Sequence, residues 1–247
     1  LHLSIRRQRQ MCIRDRFAAY NGKVYLTTFD GYVAKIDTAS MAVEGYVKVG
    51  PNPDGITIAN ERIYTADTDG MNWPSQSTRV SVVDINSFEF EKTITVSLNP
   101  NYIYSDSDGD VYVICMSDYS DDKSYIVQRI DAKTDEVKTV EGIKAYKMTV
   151  ADDIAYIMFN DYYANEVKYY KYDLKNEKLL SDNFITDGTV VSSPNGIGVD
   201  PVTGDIYVGK SNKKNNGDVY VFSSEGKLKS QFETLPYPAD FVFMTNK

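Results

Sequence analysis

Histidine is nearly missing from this chain. Its 247 residues hold one, His2. Past the first few positions no imidazole is available, which removes the commonest general base and the commonest metal ligand. Cysteine is almost as scarce, with Cys12 and Cys115 alone. Two Cys build no disulfide framework. Cys115 sits in the apolar run Val113-Ile114-Cys115-Met116 and reads as a buried small hydrophobe. No stretch approaches 18 consecutive apolar residues, so no membrane-spanning helix is predicted. Gly-rich phosphate loops, Ser-His-Asp sets and metal-ligand clusters do not occur, and neither does helical periodicity.

Arginine runs out early. Five Arg fall within LHLSIRRQRQMCIRDR (residues 1–16), and only Arg62, Arg79 and Arg129 follow, against 19 Lys. Removing those five Arg and Asp15 takes the net charge from −8 to −12. A body that acidic repels phosphate backbones, which argues against nucleic-acid binding despite the basic head. An Arg-rich transit peptide would suit the head no better. The segment MCIRDR (11–16) resembles the translated adapter read-through found at the ends of metagenomic reading frames. That reading accounts for the Arg-to-Lys shift and the absent starting Met. Residues 1–16 are set aside as an extraneous tail, and 17–247 are expected to fold.

What is abundant is Tyr, 20 in all, and it recurs in register. Short apolar strands centre on Tyr25, Tyr64, Tyr112, Tyr156 and Tyr207. A second strand closes on Asp37, Asp84, Asp131 and Asp173, with Ser223 at the fifth copy. A third opens with Pro at Pro53, Pro100, Pro194 and Pro238; the copy at Ala145 lacks it. The repeat Asp residues are 47, 47 and 42 apart. A period near 45 residues with four strands predicts an all-β chain, a β-propeller of four-stranded antiparallel blades. In the second repeat the strands are predicted at 55–59, 62–66, 79–84 and 90–96, here called A to D. Inner strands such as Asp110–Met116 need not alternate, because both faces are covered, whereas outer strands such as Glu136–Val140 are expected to alternate. By this pattern the first copy begins at strand B, so 238–244 is expected to supply its inner strand A. That gives about five blades, read as an N-terminally truncated seven-bladed ring.

These repeats resemble the YVTN-type, surface-layer-protein-like propellers of Bacteroidetes, from about Asn21 to Phe243. PNGIGVDPVTGDIYV (194–208) and GDVYVFSSEGKL (217–228) carry the likeness most clearly, with the turns DINSFEF (84–90) and DAKTDEV (131–137). The resemblance implies an exported protein at the cell surface or periplasm of a Gram-negative bacterium, commonly a lipoprotein of the outer membrane. One subgroup binds cobalamin outside the cell and passes it to an outer-membrane transporter. It also implies about two absent blades, with the signal peptide and lipid-bearing Cys. Cys12 is not that Cys, because no apolar segment of sufficient length precedes it.

Function is expected on one rim. The A–B and C–D turns are short, while several B–C loops are long: 67–78, 116–123, 160–166 and 209–216. The loop 67–78 holds Asn72 and Trp73, the only Trp. Tyr119 and the pair Tyr162 and Tyr163 occupy equivalent loops. Asp54, Asn101 and Asn195 begin inner strands at the same rim. Aromatics and amides around a concavity suit a polar, ring-bearing ligand such as a cobalamin or a glycan. The alternative for each aromatic is simple packing on a neighbouring loop. Asp106, Asp108 and Asp110 resemble half a calcium loop but lack the bidentate Glu, so a turn is expected and no metal. The expectation is a non-enzymatic binding protein without cofactor. Its rivals are a protein-docking scaffold and, disfavoured by the missing His, a propeller lyase or lactonase.

Overall fold

A computed structural model describes residues 16–118, 124–161, 166–212 and 214–244. The chain divides into two compact units, residues 1–142 and 143–247. Each is built from consecutive four-stranded antiparallel meanders. The first unit holds β1 (Phe17–Tyr20), β2 (Lys23–Thr28), β3 (Tyr32–Asp37) and β4 (Val43–Lys48) as one sheet. The second sheet is β5 (Pro53–Ala59), β6 (Arg62–Asp67), β7 (Arg79–Asp84) and β8 (Glu89–Thr95), and the third is β9 (Pro100–Ser105), β10 (Val111–Cys115), β11 (Ile126–Ile130) and β12 (Val137–Lys144), whose last turn enters the second unit. The second unit holds β13 (Lys147–Ala151), β14 (Ile154–Asp161), β15 (Glu166–Asp173) and β16 (Lys178–Ser181), then β17 (Pro194–Val199), β18 (Ile206–Lys210), β19 (Gly217–Phe222) and β20 (Leu228–Thr234). Among the described residues the only helical element is one 3-10 turn, Gly70–Asn72.

Face-to-face packing explains the strand chemistry. Tyr64, Val80, Val82 and Ile94 of the second sheet pack on Ile103, Val111 and Val113 of the third. Tyr25, Val33 and Val47 of the first meet Ile56, Ile63 and Val83 of the second. In the other unit Tyr156 and Tyr169 pack on Ile197, Ile206 and Phe222. β10 is buried at every position, as its unbroken apolar run predicts. The outer strands depart from the expected alternation. β12 exposes successive residues, and β20 is open on both faces over nearly its whole length.

The repeated Asp residues shape the C–D turns as their chemistry predicts. Asp37, Asp84 and Asp131 each accept from the backbone N–H groups two and three residues on, and Asp173 from the one three on. In all four the residue four past the Asp is left-handed: Met41, Phe88, Asp135 and Glu177. The Asp106–Asp110 segment is likewise a turn. The Asp106 carboxylate accepts from Asp110 N–H at 2.9 Å, and Arg129 donates to Asp110 at 2.9 and 2.5 Å.

One assignment is corrected. The first sheet has its own inner strand, β1, so it does not borrow 238–244. Even Arg16, placed in the tail by sequence, continues that strand: its N–H donates to Thr27 Oγ1, and its carbonyl accepts from Thr27 N–H. Its guanidinium lies 5.0 Å from the centre of the Tyr102 ring. Residues 238–244 instead lie along the fifth sheet, where Phe241 and Phe243 contact Tyr207. Their approach repeats the one between sheets two and three. A Cβ on Gly55 would stand 2.7 Å from Asn101 O, and one on Gly196 would stand 2.7 Å from Ala239 O. Asn52, Asn99, Ser193 and Tyr237, each directly before a Pro, are all left-handed. The segment therefore begins another copy of the repeat.

Candidate functional site

Every blade-opening Pro lacks an N–H, so the strand it begins cannot pair evenly there. The ladders shift register at this point three times: between Pro53 and Gly55, beside Pro100, and between Pro194 and Gly196. The residue after Pro thereby leaves the ladder, and those residues are Asp54, Asn101 and Asn195. A bulge of this kind re-aims a side chain. Within each of these three sheets the D–A linker also meets the B–C loop: Thr68 N–H donates to Asn52 O, Ser117 N–H to Leu98 O, and Ser211 N–H to Ser193 O.

In the first unit this arrangement forms a half-open cavity of about 380 Å³, lined by Phe29, Asn52, Pro53, Asp54, Thr68, Gly70 and Met71. Asn52 ties the lining together. Its Nδ2 donates to Phe29 O at 2.9 Å, its Oδ1 accepts from Met71 N–H at 3.4 Å, and its backbone O accepts from Thr68 N–H at 3.2 Å. Thr68 Oγ1 donates to Asn99 Oδ1 at 2.5 Å. Phe29, Pro53 and Met71 offer apolar surface, and Asp54 and Thr68 offer polar groups.

Directly before the lining residue Thr68 stands Asp67, which the sequence reading placed in the loop and the structure places at the end of β6. Its carboxylate is fully buried. Thr65 Oγ1 donates to Oδ1 at 2.8 Å and Ser81 Oγ to Oδ2 at 2.5 Å. Gly50 N–H donates to Ser81 Oγ at 3.2 Å and also favours the charged carboxylate. Burial outweighs these donors and pushes the Asp67 acid constant up to about 6. Gly50 has to be Gly, because a Cβ there would overlap the Asp67 side chain.

The residues chosen from sequence fare unequally. Asp54 lines the cavity. Asn72 lies in the same loop but is spent on structure, donating to Ser75 O at 3.1 Å and Asp69 Oδ2 at 3.4 Å. Trp73 ends the 3-10 turn with 64% of its surface exposed and does not line the cavity. Asn101 is buried at the start of β9, and Asn195 holds the matching place in β17 of the second unit. Tyr119, Tyr162 and Tyr163 lie outside the described residues. Asn52, Phe29, Met71 and Asp67 were missed. The repeated Asn-Pro pair at 52–53 and 99–100 is the signal that points to Asn52. No group of three metal-ligating side chains converges among the described residues.

The architecture, consecutive four-stranded antiparallel meanders packed face to face, defines the protein as a β-propeller-like all-β chain of five blades. No family model matches it, and no curated protein does. Among solved structures it is similar to Kuenenia stuttgartiensis hydrazine synthase, with a TM-score of 0.64 and 14% identity over 82% of this chain. The match spans 60% of that chain, less than two thirds of its length. Matching solved chains number 1294, so the likeness defines the fold and selects no activity.

Proposed function

We propose that this chain is a binding protein rather than a catalyst, and that its first unit holds a small, polar, ring-bearing organic molecule between Asn52–Asp54 and Thr68–Met71. The observation that carries this reading is the cavity itself. Its volume of about 380 Å³ falls within the range of roughly 300–1,000 Å³ usual for small-molecule sites. Phe29 and Met71 supply surface for a ring, while Asp54 and Thr68 supply polar contacts that set orientation. With Asp54 in its lining and Asp69 in the same loop, the site favours a ligand rich in hydrogen-bond donors over an anion.

Glycans and cobalamins both meet that description. A sugar ring fits whole, whereas a corrinoid would insert one amide-bearing arm. In keeping with the family resemblance, the setting proposed is the surface or periplasm of a Gram-negative bacterium, with delivery to an outer-membrane transporter. No described helix is long and apolar enough to cross a membrane. Thermal-shift measurement with cyanocobalamin, adenosylcobalamin and a panel of neutral oligosaccharides tests the reading, because a ligand that binds only the folded state raises its Tm. A rise of several degrees that Met71→Ala reduces at equal ligand concentration is the expected result. A panel with no shift, or a shift untouched by Met71→Ala, contradicts it.

A second reading, a protein-docking scaffold, draws on the second unit. Phe232 of β20 is 49% exposed where the matching Ile94 of β8 is 6% exposed. Leu235 and Val242 of the same unit are exposed as well. Retention of the chain by outer-membrane extract, lost in Phe232→Asp with the ligand-induced Tm shift intact, would establish it.

A further inference from the structure

The cavity is pinned by one carboxylate. Asp67 immediately precedes Thr68, Gly70 and Met71, which form one wall. Gly50, whose N–H meets Ser81 Oγ and Asp67, opens the segment leading to Asn52, Pro53 and Asp54, which form the other. Both walls therefore hang on the same buried group. The fold does not demand a charge there. The matching position in β10, set by Pro100 opposite Cys115 as Pro53 is opposite Asp67, carries a neutral thiol.

We propose that Asp67 is a proton-operated latch for the cavity: protonated, it stays buried and holds both walls together; ionised, it draws water and releases the wall at 68–71. The latch rests on the reading of this cavity as the binding site. Two observations support it independently. The first is electrostatic. A hydrated Asp has an acid constant near 3.8 and the buried Asp67 one of about 6, so the closed form gains by linkage below that pH and loses above it. The gap corresponds to a roughly hundred-fold change in the open-to-closed ratio. The second lies within the loop. Gln76 is 7% exposed, and its Oε1 meets no donor among the described residues. Opening would hydrate that oxygen as well, so the closed loop is held against a cost.

The surrounding charges are few. Arg79, opposite on β7, favours the ionised form. Asp54 on β5, Asp69 in the loop and Asp30 after β2 carry like charge. The linkers 49–52 and 97–99 carry none.

Trp73, the only Trp, lies two residues past that wall at the end of the 3-10 turn, so its fluorescence anisotropy reports the loop without any ligand. With His2 replaced by Gln, no imidazole remains to titrate near pH 6. In that background, anisotropy is expected to fall as pH rises from 4.5 to 8, with a midpoint near 6. Asp67→Asn should abolish the transition. Ser81→Ala, which removes a donor to the charged form, should move the midpoint upward, and it serves if Asp67→Asn fails to fold. A flat profile, or a transition that survives Asp67→Asn or ignores Ser81→Ala, overturns the latch. If the Trp73 anisotropy follows pH as expected while no ligand shifts Tm, the latch stands and the binding reading falls. The reverse pattern leaves the binding reading and removes the latch.

Discussion

The ends of β6 and β10 occupy the same place in successive blades and solve it differently. In both, the linker ahead of the Pro sends an N–H to a polar side chain on the third strand: Gly50 to Ser81 at 3.2 Å, and Ser97 to Gln128 at 2.7 Å. In the third sheet Gln128 is long enough to fill the gap. It also donates to Thr139 and leaves room only for the small Cys115, whose thiol burial pushes up to about 12. In the second sheet Ser81 is short. Asp67 fills the gap, and the linker closes in until only Gly fits at 50. One blade holds a thiol that stays neutral. The other buries an ionisable acid, and the cavity lies beside that one. Where the scaffold tolerates a neutral solution, a buried carboxylate reads as a functional feature rather than a packing requirement.

The contrast breaks most sharply with pH. Folding raises the Asp67 acid constant, so its protonation contributes stability fully below about pH 4, and that contribution is lost as pH rises through about 6. Urea unfolding of the wild type should lose on the order of 3 kcal/mol from this group between pH 4 and pH 8. Asp67→Asn should remove that dependence, and Cys115→Ser should leave it in place. Next in size is the close approach. Gly50→Ala should cost about 1–3 kcal/mol through overlap with Asp67, while Ser97→Ala, which adds no atom, should cost less than about 0.5 kcal/mol. Truncating a half-open cavity wall is smaller still. Met71→Ala should weaken ligand binding about five- to ten-fold with little change in Tm, because Met71 is largely exposed in the free protein. The smallest effect belongs to the turns. Backbone N–H groups of Thr134 and Lys133 hold the Asp131 carboxyl down at about 2. Its contribution is therefore present above about pH 4 and lost as pH falls through about 2, opposite in sign to Asp67. Asp131→Ala should lower Tm by roughly 2–4 °C at neutral pH, read by calorimetry.

Sequence revealed what is local and repeated. The Asp of each C–D turn acts on its own next few residues, and the Pro of each inner strand breaks its own ladder, so both were legible as patterns. Tyr64 and Tyr112 showed themselves in the same way, by recurring. Asp67 did not. After Thr65-Ala66 it reads as the first polar residue of a loop, and its burial depends on Ser81 and Gly50, which are distant in sequence. Phe29 was hidden for the same reason, since it joins the cavity only through Asn52 of the next repeat. The inner strand of the first sheet was obscured by its shortness, Phe17–Tyr20, beside a run that looks foreign.

The central claim is that a ligand sits between the two walls beside Asp67. Amide chemical-shift mapping tests it most directly, using whichever cobalamin or oligosaccharide raises Tm furthest. The account predicts that shifts concentrate at Phe29, Asn52, Asp54, Thr68, Gly70 and Met71 and need about five- to ten-fold more ligand in Met71→Ala. Shifts confined to β20 and residues 235–244, with those six amides unmoved, would contradict it.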